Sequence, residues 1–403
     1  MKTTKTDFVA RPQGKVGEKI IGQITLIHPE GNFNNNPHLS TVIEMLCESG
    51  CHIDIHALRR KCFQGSPHPD AQVNMPNKYL VRMVLILSRF YWGHFFAYLL
   101  CRLQFSRIQS GLIIGVDADG AVIASILGNI YQIPTALFSY EIFASSEIGE
   151  LRKAPEIRAC QDIEFAVVQD RKRGEILSKE NEIDPGKLIY MPVAARRSLS
   201  TTPGWLRKEL KIGREKKIAL FIGSLEKWSG FDRVLDTLPL WPSDWCLVVH
   251  DRYGMSGAEV SRYSQKSTGN LFFSTRSFST NDELARIMGD ADLGIALYCP
   301  DYETPYTGLN IENIGLSSGK IATFLRFGVP VLVNQIGEMA DLIVSDELGY
   351  LVCSPEEIST VLKNAGKKEV EAIERCRSFF DSHLSVESTW VDFFGRVKQV
   401  LRQ

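Results

Sequence analysis

The chain has 403 residues, which is more than one compact core normally holds, so we expect two domains of about 200 residues each. Hydrophobic residues make up 44% of the chain and charged residues 23%, which is ordinary for a soluble globular protein. The formal net charge is −1, so the chain lacks the basic excess of a protein that binds nucleic acid through a charged face. We expect no nucleic-acid partner.

Nine cysteines are spread along the chain without a C-x-x-C pair. The group Cys47, Cys51, His52 and His56 has the residue types of a zinc site, but its sequence CHIDIH alternates like a β-strand. A strand sends neighbouring side chains to opposite faces, which separates Cys51 from His52. We therefore expect reduced, mostly buried thiols in a cytoplasmic protein, with no metal and no other cofactor.

Two segments bear on cellular location. Residues 1–18 are polar and carry no signal peptide, so we expect a disordered tail. Residues 78–105 are rich in aromatic and basic residues, but three arginines interrupt every apolar run before it reaches the ~18 residues of a membrane span. Two interpretations stay open: a helix lying on a membrane surface, or a pair of core helices in a large α/β domain.

The first half of the chain alternates strand and helix patterns. Predicted in chain order are strands at 19–28, 51–58, 111–117, 134–140, 163–170 and 188–194, with helices at 38–49 and 121–131. A polar stretch at 195–202 then closes on Pro203 and Gly204, after which the pattern restarts.

The second half repeats the same alternation. Predicted are strands at 217–223, 246–251, 271–277 and 292–298, helices at 231–241 and 281–291, and a helical tail at 356–403. The helix at 281–291 is expected to be capped by Asn281 or Asp282. Strands that alternate with helices predict parallel sheets covered on both faces.

We therefore predict the α/β class, with two doubly wound Rossmann-like domains that face each other across a cleft. The expected units are a tail (1–18), an N-terminal domain (19–200), a C-terminal domain (201–375) and a final helical segment (376–403) that packs back on the N-terminal domain. Ligands of such folds bind at the carboxyl ends of the strands.

The segment GLSSGKIATFLRFGVPVLV, residues 315–333, looks like a phosphate cradle. A Walker A loop is excluded because Gly315 and Gly319 are four residues apart instead of five, and because Ile321 follows Lys320 where a hydroxyl is needed. The N-terminus of the predicted helix still favours an anion, which Lys320 would bind as a point charge. The alternative is a plain Ser N-cap followed by a solvated surface lysine.

A second loop, in FIGSLEKWSGFDRVL, has the same strand–glycine–loop–helix shape. Two such loops in one domain can hold a diphosphate from two sides. With CLVVHD, DELARIMGDADLGIALY and ELGYLV, these segments resemble the GT-B glycosyltransferases of the group 1, or family 4-like, type. The branch with Ser-Ser-Gly-Lys before the last donor-domain helix is particularly similar. PTALFSYEIF, VVQDRKRGEIL and KLIYMPVA agree in the N-terminal half.

The resemblance implies a retaining, metal-independent sugar transfer from a nucleotide-diphosphate sugar, held by the C-terminal domain, to a saccharide or lipid-linked acceptor. Lys320 and Glu141 are the candidate catalytic residues. Candidate donor-binding residues are Gly223, Ser224, Lys227, His250, Arg252, Tyr298, Asn313, Ser317, Ser318, Gly319, Lys320 and Thr323. Candidate acceptor-side residues are His28, Asn34, Asn35, Asp117 and Asp119, and His28 is also considered as a general base.

The sequence departs from the family pattern at four charged positions. Ser224 and Ser229 stand where the family carries Arg and Lys, and Gly315 and Thr323 stand where it carries two glutamates spaced E-x7-E. Lys320 would then contact the diphosphate alone or with Lys227, and Asn313 or Glu312 would contact the sugar. Alternatives are a GT-B scaffold without turnover that serves as a binding or partner subunit, and a sugar-nucleotide epimerase or hydrolase. A nicotinamide-dependent enzyme is disfavoured because no G-x-G-x-x-G follows the first strand.

Overall fold

The computed structural model describes residues 22–31, 36–59, 66–90, 92–105, 108–251, 254–265, 269–275 and 281–402. The predicted tail at 1–18 lies outside these residues, as do the candidate site residues Asn34, Asn35 and Arg252.

The first half of the chain forms a seven-stranded sheet in the order β3-β2-β1-β4-β5-β6-β7, with every recorded pairing parallel. Its strands are β1 (Gly22–His28), β2 (Cys51–Ala57), β3 (Ala71–Asn74), β4 (Leu112–Val116), β5 (Thr135–Phe138), β6 (Phe165–Val168) and β7 (Leu188–Tyr190). Its helices are α1 (Pro37–Glu48), α2 (Lys78–Leu87), α3 (Gly93–Gln104), α4 (Asp117–Tyr131), α5 (Ser145–Ile148), α6 (Glu150–Cys160) and α7 (Arg171–Asn181). The edge strand β3 was not predicted, because its four residues are too few and too mixed to show a period.

The second half forms a six-stranded parallel sheet in the order β10-β9-β8-β11-β12-β13. Its strands are β8 (Lys217–Ile222), β9 (Trp245–His250), β10 (Leu271–Ser274), β11 (Leu293–Ala296), β12 (Val331–Asn334) and β13 (Gly349–Val352). The helices are α8 (Trp205–Leu210), α9 (Phe231–Thr237), α10 (Gly257–Ser264), α11 (Asn281–Asp290), α12 (Leu309–Glu312), α13 (Gly319–Arg326), α14 (Glu338–Ser345), α15 (Ile358–Asn364), α16 (Val370–Phe379) and α17 (Val386–Leu401). The predicted fold class, two doubly wound Rossmann-like units, is confirmed.

The central strands of both sheets are buried on both faces, as parallel sheets require. In β1, Ile24 and Leu26 pack towards α1 and α17, whereas Ile27 packs towards α2, α3 and α4. The end of the chain is shared between the two halves. Helix α16 packs in the core of the second sheet, and α17 packs against α1, β4 and β7 of the first.

Residues 78–105 fold into a helical hairpin, formed by α2 and α3 packed against each other. One face of the hairpin belongs to the core, because Val81, Val84, Ala97 and Cys101 are buried against α4 and β4. In the part of the chain that the structure describes, no helix has the length and apolar character needed to cross a membrane. The core interpretation of this segment is therefore correct for its inner face.

Helix α13 forms where the sequence predicts it. Ser318 is its N-cap, with the Ser318 Oγ accepting a hydrogen bond from the Ile321 N–H at 3.3 Å. The apolar stripe that begins at Ile321 and includes Phe324 and Leu325 is fully buried. Gly328, with φ of +73°, follows the helix in the left-handed conformation of a C′ residue.

Candidate functional site

The candidate site lies at the carboxyl edge of the second sheet. Gly223 directly follows β8, His250 ends β9, Tyr298 follows β11, and α13 begins at Gly319. Because all six strands are parallel, the ends of these strands share one edge of the sheet. The fold thus brings together residues that are far apart in sequence.

At the centre of this edge, the Lys320 ammonium group is surrounded by three aromatic rings. Its Nζ lies 4.9 Å from the ring centroid of Phe221, 5.2 Å from that of Trp228 and 5.5 Å from that of Tyr298. The Nζ is buried and has no hydrogen-bond partner among the described residues. Ring faces attract a cation, but they do not replace the hydrogen bonds that an ammonium group makes in water. The surface-lysine interpretation is therefore wrong.

Burial lowers the pKa of Lys320 from 10.5 to about 7. Desolvation disfavours the charged form of an amine, and within the described ranges no carboxylate offsets it. An anionic ligand at this edge of the sheet would supply the missing counter-charge. The group is therefore poised to gain a proton when such a ligand binds.

Two neighbours fix the position of the lysine. Gly223 has φ of +94°, and a Cβ at this residue would lie 2.9 Å from the Lys320 Cε, so the lysine stem packs directly on the glycine. On the other side, the hydroxyl groups of Tyr298 and Ser318 are 2.5 Å apart. The Tyr298 backbone is held in turn by Asn334, whose side chain accepts from its N–H at 3.0 Å and donates to its carbonyl at 2.7 Å.

Two donor candidates in the first loop have local partners. Lys227 is exposed and forms an ion pair with Glu303 at 2.5 Å. The Ser224 Oγ accepts from the Glu226 N–H at 3.3 Å. The loop contributes Trp228 to the Lys320 cage, the group formed by the rings of Phe221, Trp228 and Tyr298 around the ammonium group. Trp228 was not among the residues selected from the sequence. Its signal was an aromatic residue standing alone in a polar loop.

The remaining candidates around α13 also have local partners. The Asn313 Nδ2 donates to the Leu309 carbonyl at 3.0 Å, and the Thr323 Oγ1 donates to the Gly319 carbonyl at 2.6 Å. Ser317 ends a short 3₁₀ turn and is partly accessible.

His250 is buried at the end of β9. Its Nδ1 lies 3.3 Å from the Ser274 Oγ, and its backbone carbonyl accepts from the Gly223 N–H at 3.1 Å. Burial lowers the pKa of His250 to about 4, so the ring is neutral at neutral pH. The backbone of His250 holds the loop after β8, and its neutral ring adds no charge to the site.

The acceptor-side candidates Asp117 and Glu141 meet at the carboxyl edge of the first sheet. Asp117 begins α4 with φ of +52°, and its Oδ1 accepts from the N–H groups of Tyr140 at 2.7 Å and Glu141 at 2.9 Å. Burial, opposed by these hydrogen bonds, raises the pKa of Asp117 to about 7. Burial and the charge of Asp117 raise the pKa of Glu141 to about 8. Carboxyl groups with shifted pKa values, and a non-glycine residue with a positive φ, are typical of functional sites.

The other acceptor-side candidates differ in environment. Asp119 forms a partly exposed ion pair with Arg59 at 2.9 Å. His28 is buried at the end of β1, where its Nδ1 contacts the backbone of Glu30. Burial lowers the pKa of His28 to about 4. A base of that pKa is a weak proton acceptor at neutral pH, so the environment does not favour His28 as a general base.

Arg173 joins the two halves of the protein and was missed by the sequence analysis. Its guanidinium is buried and donates to the Tyr140 carbonyl at 2.7 Å and to the Asn313 carbonyl at 3.1 Å. Beside it, the Asn310 Oδ1 accepts from the Ile142 N–H at 2.8 Å. Nothing in the sequence RKRGEIL distinguishes this arginine from its charged neighbours, because its partners are backbone groups distant along the chain.

The described residues contain no group of three or more His, Cys, Asp and Glu side chains arranged to hold a metal ion. In β2 the Cys51 side chain is buried and that of His52 is exposed, so the two point to opposite faces. Burial raises the pKa of Cys51 to about 11.

No protein-family model matches this chain. Over 81 residues it is 40% identical to Glucosyltransferase 3 of Streptococcus gordonii. That stretch makes up 20% of this chain and 22% of the length of the curated relative.

Similarity to solved structures extends over nearly the whole chain. HepE of Anabaena in complex with UDP superposes with a TM-score of 0.68 at 13% identity, covering 94% of this chain and 100% of that one. Sucrose-phosphate synthase of Thermosynechococcus elongatus gives 0.64 at 14% identity, with 94% and 99% covered. WaaG, a glycosyltransferase involved in lipopolysaccharide biosynthesis, gives 0.62 at 14% identity, with 93% and 98% covered.

The chain has the GT-B fold. In a GT-B protein the carboxyl edges of both sheets border the cleft between the domains. The Lys320 cage on one side and the Asp117–Glu141 pair on the other are therefore the two walls of one candidate site. Arg173 and Asn310 connect the two halves of the chain through hydrogen bonds to the backbone of Tyr140, Asn313 and Ile142.

Proposed function

We propose that this protein is a glycosyltransferase that moves a sugar from a nucleotide-diphosphate sugar to a saccharide or lipid-linked acceptor. The observation that carries the proposal is the buried Lys320 Nζ at the N-terminus of α13, for which the described part of the chain offers no hydrogen-bond partner. A buried ammonium group is costly unless something pairs with it, and a helix N-terminus favours an anion at the same place. A bound diphosphate would pair with the ammonium group and would also be the anion that the helix N-terminus favours.

The proposed chemistry places the diphosphate on Lys320 and the acceptor on the Glu141 side. The bond between the anomeric carbon and the phosphate oxygen breaks as the acceptor oxygen bonds to the same carbon. The hydroxyl proton of the acceptor passes to the departing diphosphate. Negative charge grows on the leaving group, where a preorganised ammonium group and helix N–H groups stabilise the transition state. We propose retention of configuration because the resemblance to the group 1 GT-B glycosyltransferases implies it. We propose no metal requirement, since these residues can balance the leaving charge themselves.

Glu141 would act as a proton-bearing group beside the acceptor. Its raised pKa keeps the carboxyl protonated at neutral pH, so it can donate a hydrogen bond to a sugar hydroxyl. Asp117 holds the Glu141 backbone and would position this group.

The second candidate function is a GT-B protein that binds nucleotide sugars without turning them over. The absence of charge at Ser224, Ser229, Gly315 and Thr323 favours it, because these are four positions where the resembling family is charged. The two functions predict the same binding and differ in turnover.

Calorimetric titration with UDP-glucose and other nucleotide-diphosphate sugars tests the proposal. Lys320→Met keeps the apolar stem within the three rings and removes only the charge. We expect it to weaken donor binding by ~1.5–3 kcal/mol, roughly 10- to 150-fold in Kd. Lys208→Ala, an exposed lysine on α8, is the matched control and should bind as the wild type does.

Failure of the wild type to bind any nucleotide sugar would contradict both candidate functions. Binding combined with release of free nucleotide diphosphate only when a saccharide or lipid-linked acceptor is present supports transfer. Release without an acceptor indicates a hydrolase, and binding without any release supports the scaffold. Transfer that persists in EDTA supports the metal-independent form.

A further inference from the structure

The α2–α3 hairpin has an outer face of large apolar side chains that the fold does not cover. On α2, Tyr79, Met83 and Ile86 are 68%, 48% and 42% exposed and recur at helical spacing. On α3, Phe95, Leu99 and Leu103 recur in the same way and are 72%, 45% and 69% exposed. The two stripes lie on neighbouring helices, so they form one surface.

The fold itself does not need this surface. The opposite faces of the same helices carry the buried residues Val81, Val84, Ala97 and Cys101, which already anchor the hairpin to the core. Trp92, between the two helices, is 86% exposed. A contiguous apolar surface of this kind on a soluble domain marks an interaction site.

The positive charge of the hairpin distinguishes between two possible partners of this surface, a second copy of the chain and a membrane. Residues 78–105 contain the basic residues Lys78, Arg82, Arg89 and Arg102 and no aspartate or glutamate. Arg82 and Arg102 are exposed within the two stripes. A second copy of this chain would bring the same positive charges against each other in a two-fold contact. An anionic bilayer offers negative headgroups to the arginines and an interface that accepts aromatic side chains.

We propose that the outer face of the α2–α3 hairpin docks the protein on an anionic membrane surface. The aromatic and aliphatic side chains enter the headgroup region, and the arginines bind phosphate-bearing lipids. The hairpin lies beside the acceptor side of the cleft, because α2 and α3 both pack on α4 and the charge of Arg89, just after α2, acts on Asp119 in the first turn of α4. Resting on the proposed function, this placement favours a lipid-linked acceptor over a soluble saccharide.

Sedimentation with vesicles tests the docking without any sugar substrate. Vesicles of phosphatidylcholine with phosphatidylglycerol are compared with vesicles of phosphatidylcholine alone. Phe95→Ser/Phe96→Ser removes two exposed rings, and Arg82→Gln/Arg102→Gln removes two exposed charges. Leu240→Ser/Val370→Ser is the matched control, since these residues are 62% and 65% exposed but lie outside the hairpin.

We expect the wild type to bind the anionic vesicles at least tenfold more tightly than the neutral ones. The arginine variant should lose about thirtyfold in vesicle affinity and the phenylalanine variant at least tenfold, while the control keeps wild-type affinity. Unchanged vesicle binding in the phenylalanine variant overturns the proposal. So does a wild type that ignores the vesicles and self-associates through the hairpin in sedimentation velocity. The same variants should bind nucleotide-diphosphate sugars with wild-type affinity in calorimetry. A failure of membrane docking can then be told apart from a failure of the proposed function.

Discussion

The carboxylate of Asp170, from the N-terminal half, lies where a side chain on Gly315 would have to go. A Cβ built on Gly315 collides with the Asp170 Oδ2, which accepts from the next N–H, that of Leu316, at 2.9 Å. The Asp170 Oδ1 caps α7 by accepting from the Arg173 N–H at 2.8 Å. The resembling family carries a glutamate at the place of Gly315. Here the carboxylate of Asp170, from the other domain, occupies that space. Position 315 therefore has room for glycine but not for a residue with a Cβ.

Gly315→Ala tests this relationship. We expect a loss of ~1–3 kcal/mol in the free energy of unfolding, because φ at residue 315 is +44° and the new methyl group displaces the Asp170 carboxylate. Gly319→Ala, four residues later, is the matched control. Its Cβ would meet Val193 Cγ1 at 3.5 Å, an ordinary contact. Denaturant unfolding measures both, and equal losses would contradict the assignment.

Arg173→Met should destabilise the contact between the two halves. The change leaves the buried carbonyl of Tyr140 and the partly buried carbonyl of Asn313 without their donor, so we expect a loss of ~2–4 kcal/mol in unfolding free energy. Arg173→Lys should not restore stability, because one ammonium group cannot reproduce the fork of the guanidinium.

Arg171→Met is the control for Arg173, since it changes an exposed arginine on the same helix. Thermal and denaturant unfolding measure all three variants. A loss in Arg171→Met as large as that in Arg173→Met would show that the helix, and not the bridge between the halves, is responsible.

Donor binding should depend on pH through Lys320. The pKa of the free protein's ammonium group is about 7, and a bound diphosphate raises it. Below pH 7 the group is already charged and binding is strongest. Above pH 7 binding takes up a proton, so the affinity for UDP-glucose falls as the pH rises.

Calorimetry in two buffers of different ionisation enthalpy measures this proton uptake. The diphosphate of a nucleotide sugar is fully ionised throughout this range, so the uptake belongs to the protein. Lys320→Met should abolish it. Uptake that survives in Lys320→Met would assign the proton to another group.

Stability should also depend on pH through Glu141. Its folded-state pKa of about 8 is above that of the unfolded chain, about 4.3, so the folded protein binds more protons between these values. The free energy of unfolding contributed by this group therefore decreases as the pH rises from about 4 to 8. In Glu141→Gln the unfolding free energy should fall by about 1–3 kcal/mol less over this pH range than it does in the wild type. Denaturant unfolding at a series of pH values measures the difference. Glu150→Gln, at an exposed carboxylate, should leave it unchanged.

The sequence by itself determined the local elements and their order. Ser318 followed by the stripe from Ile321 to Leu325 predicts α13 because caps and helical spacing are properties of a few neighbouring residues. Alternating strands and helices predict two parallel sheets, and parallel sheets place the loops after their strands at one edge. The identity of the motif lysine, Lys320, could therefore be read from the sequence.

Only the tertiary structure decided what surrounds these residues. Phe221 in β8, Trp228 in the loop after β8 and Tyr298 after β11 surround Lys320. Asp170 reaches Leu316 across 146 residues of chain. Lys227, equally plausible in sequence, instead pairs with Glu303 in solvent. Burial, pairing and the resulting pKa depend on contacts between distant segments, which no local pattern encodes. The same holds for the hairpin, whose inner face became core and whose outer face stayed exposed.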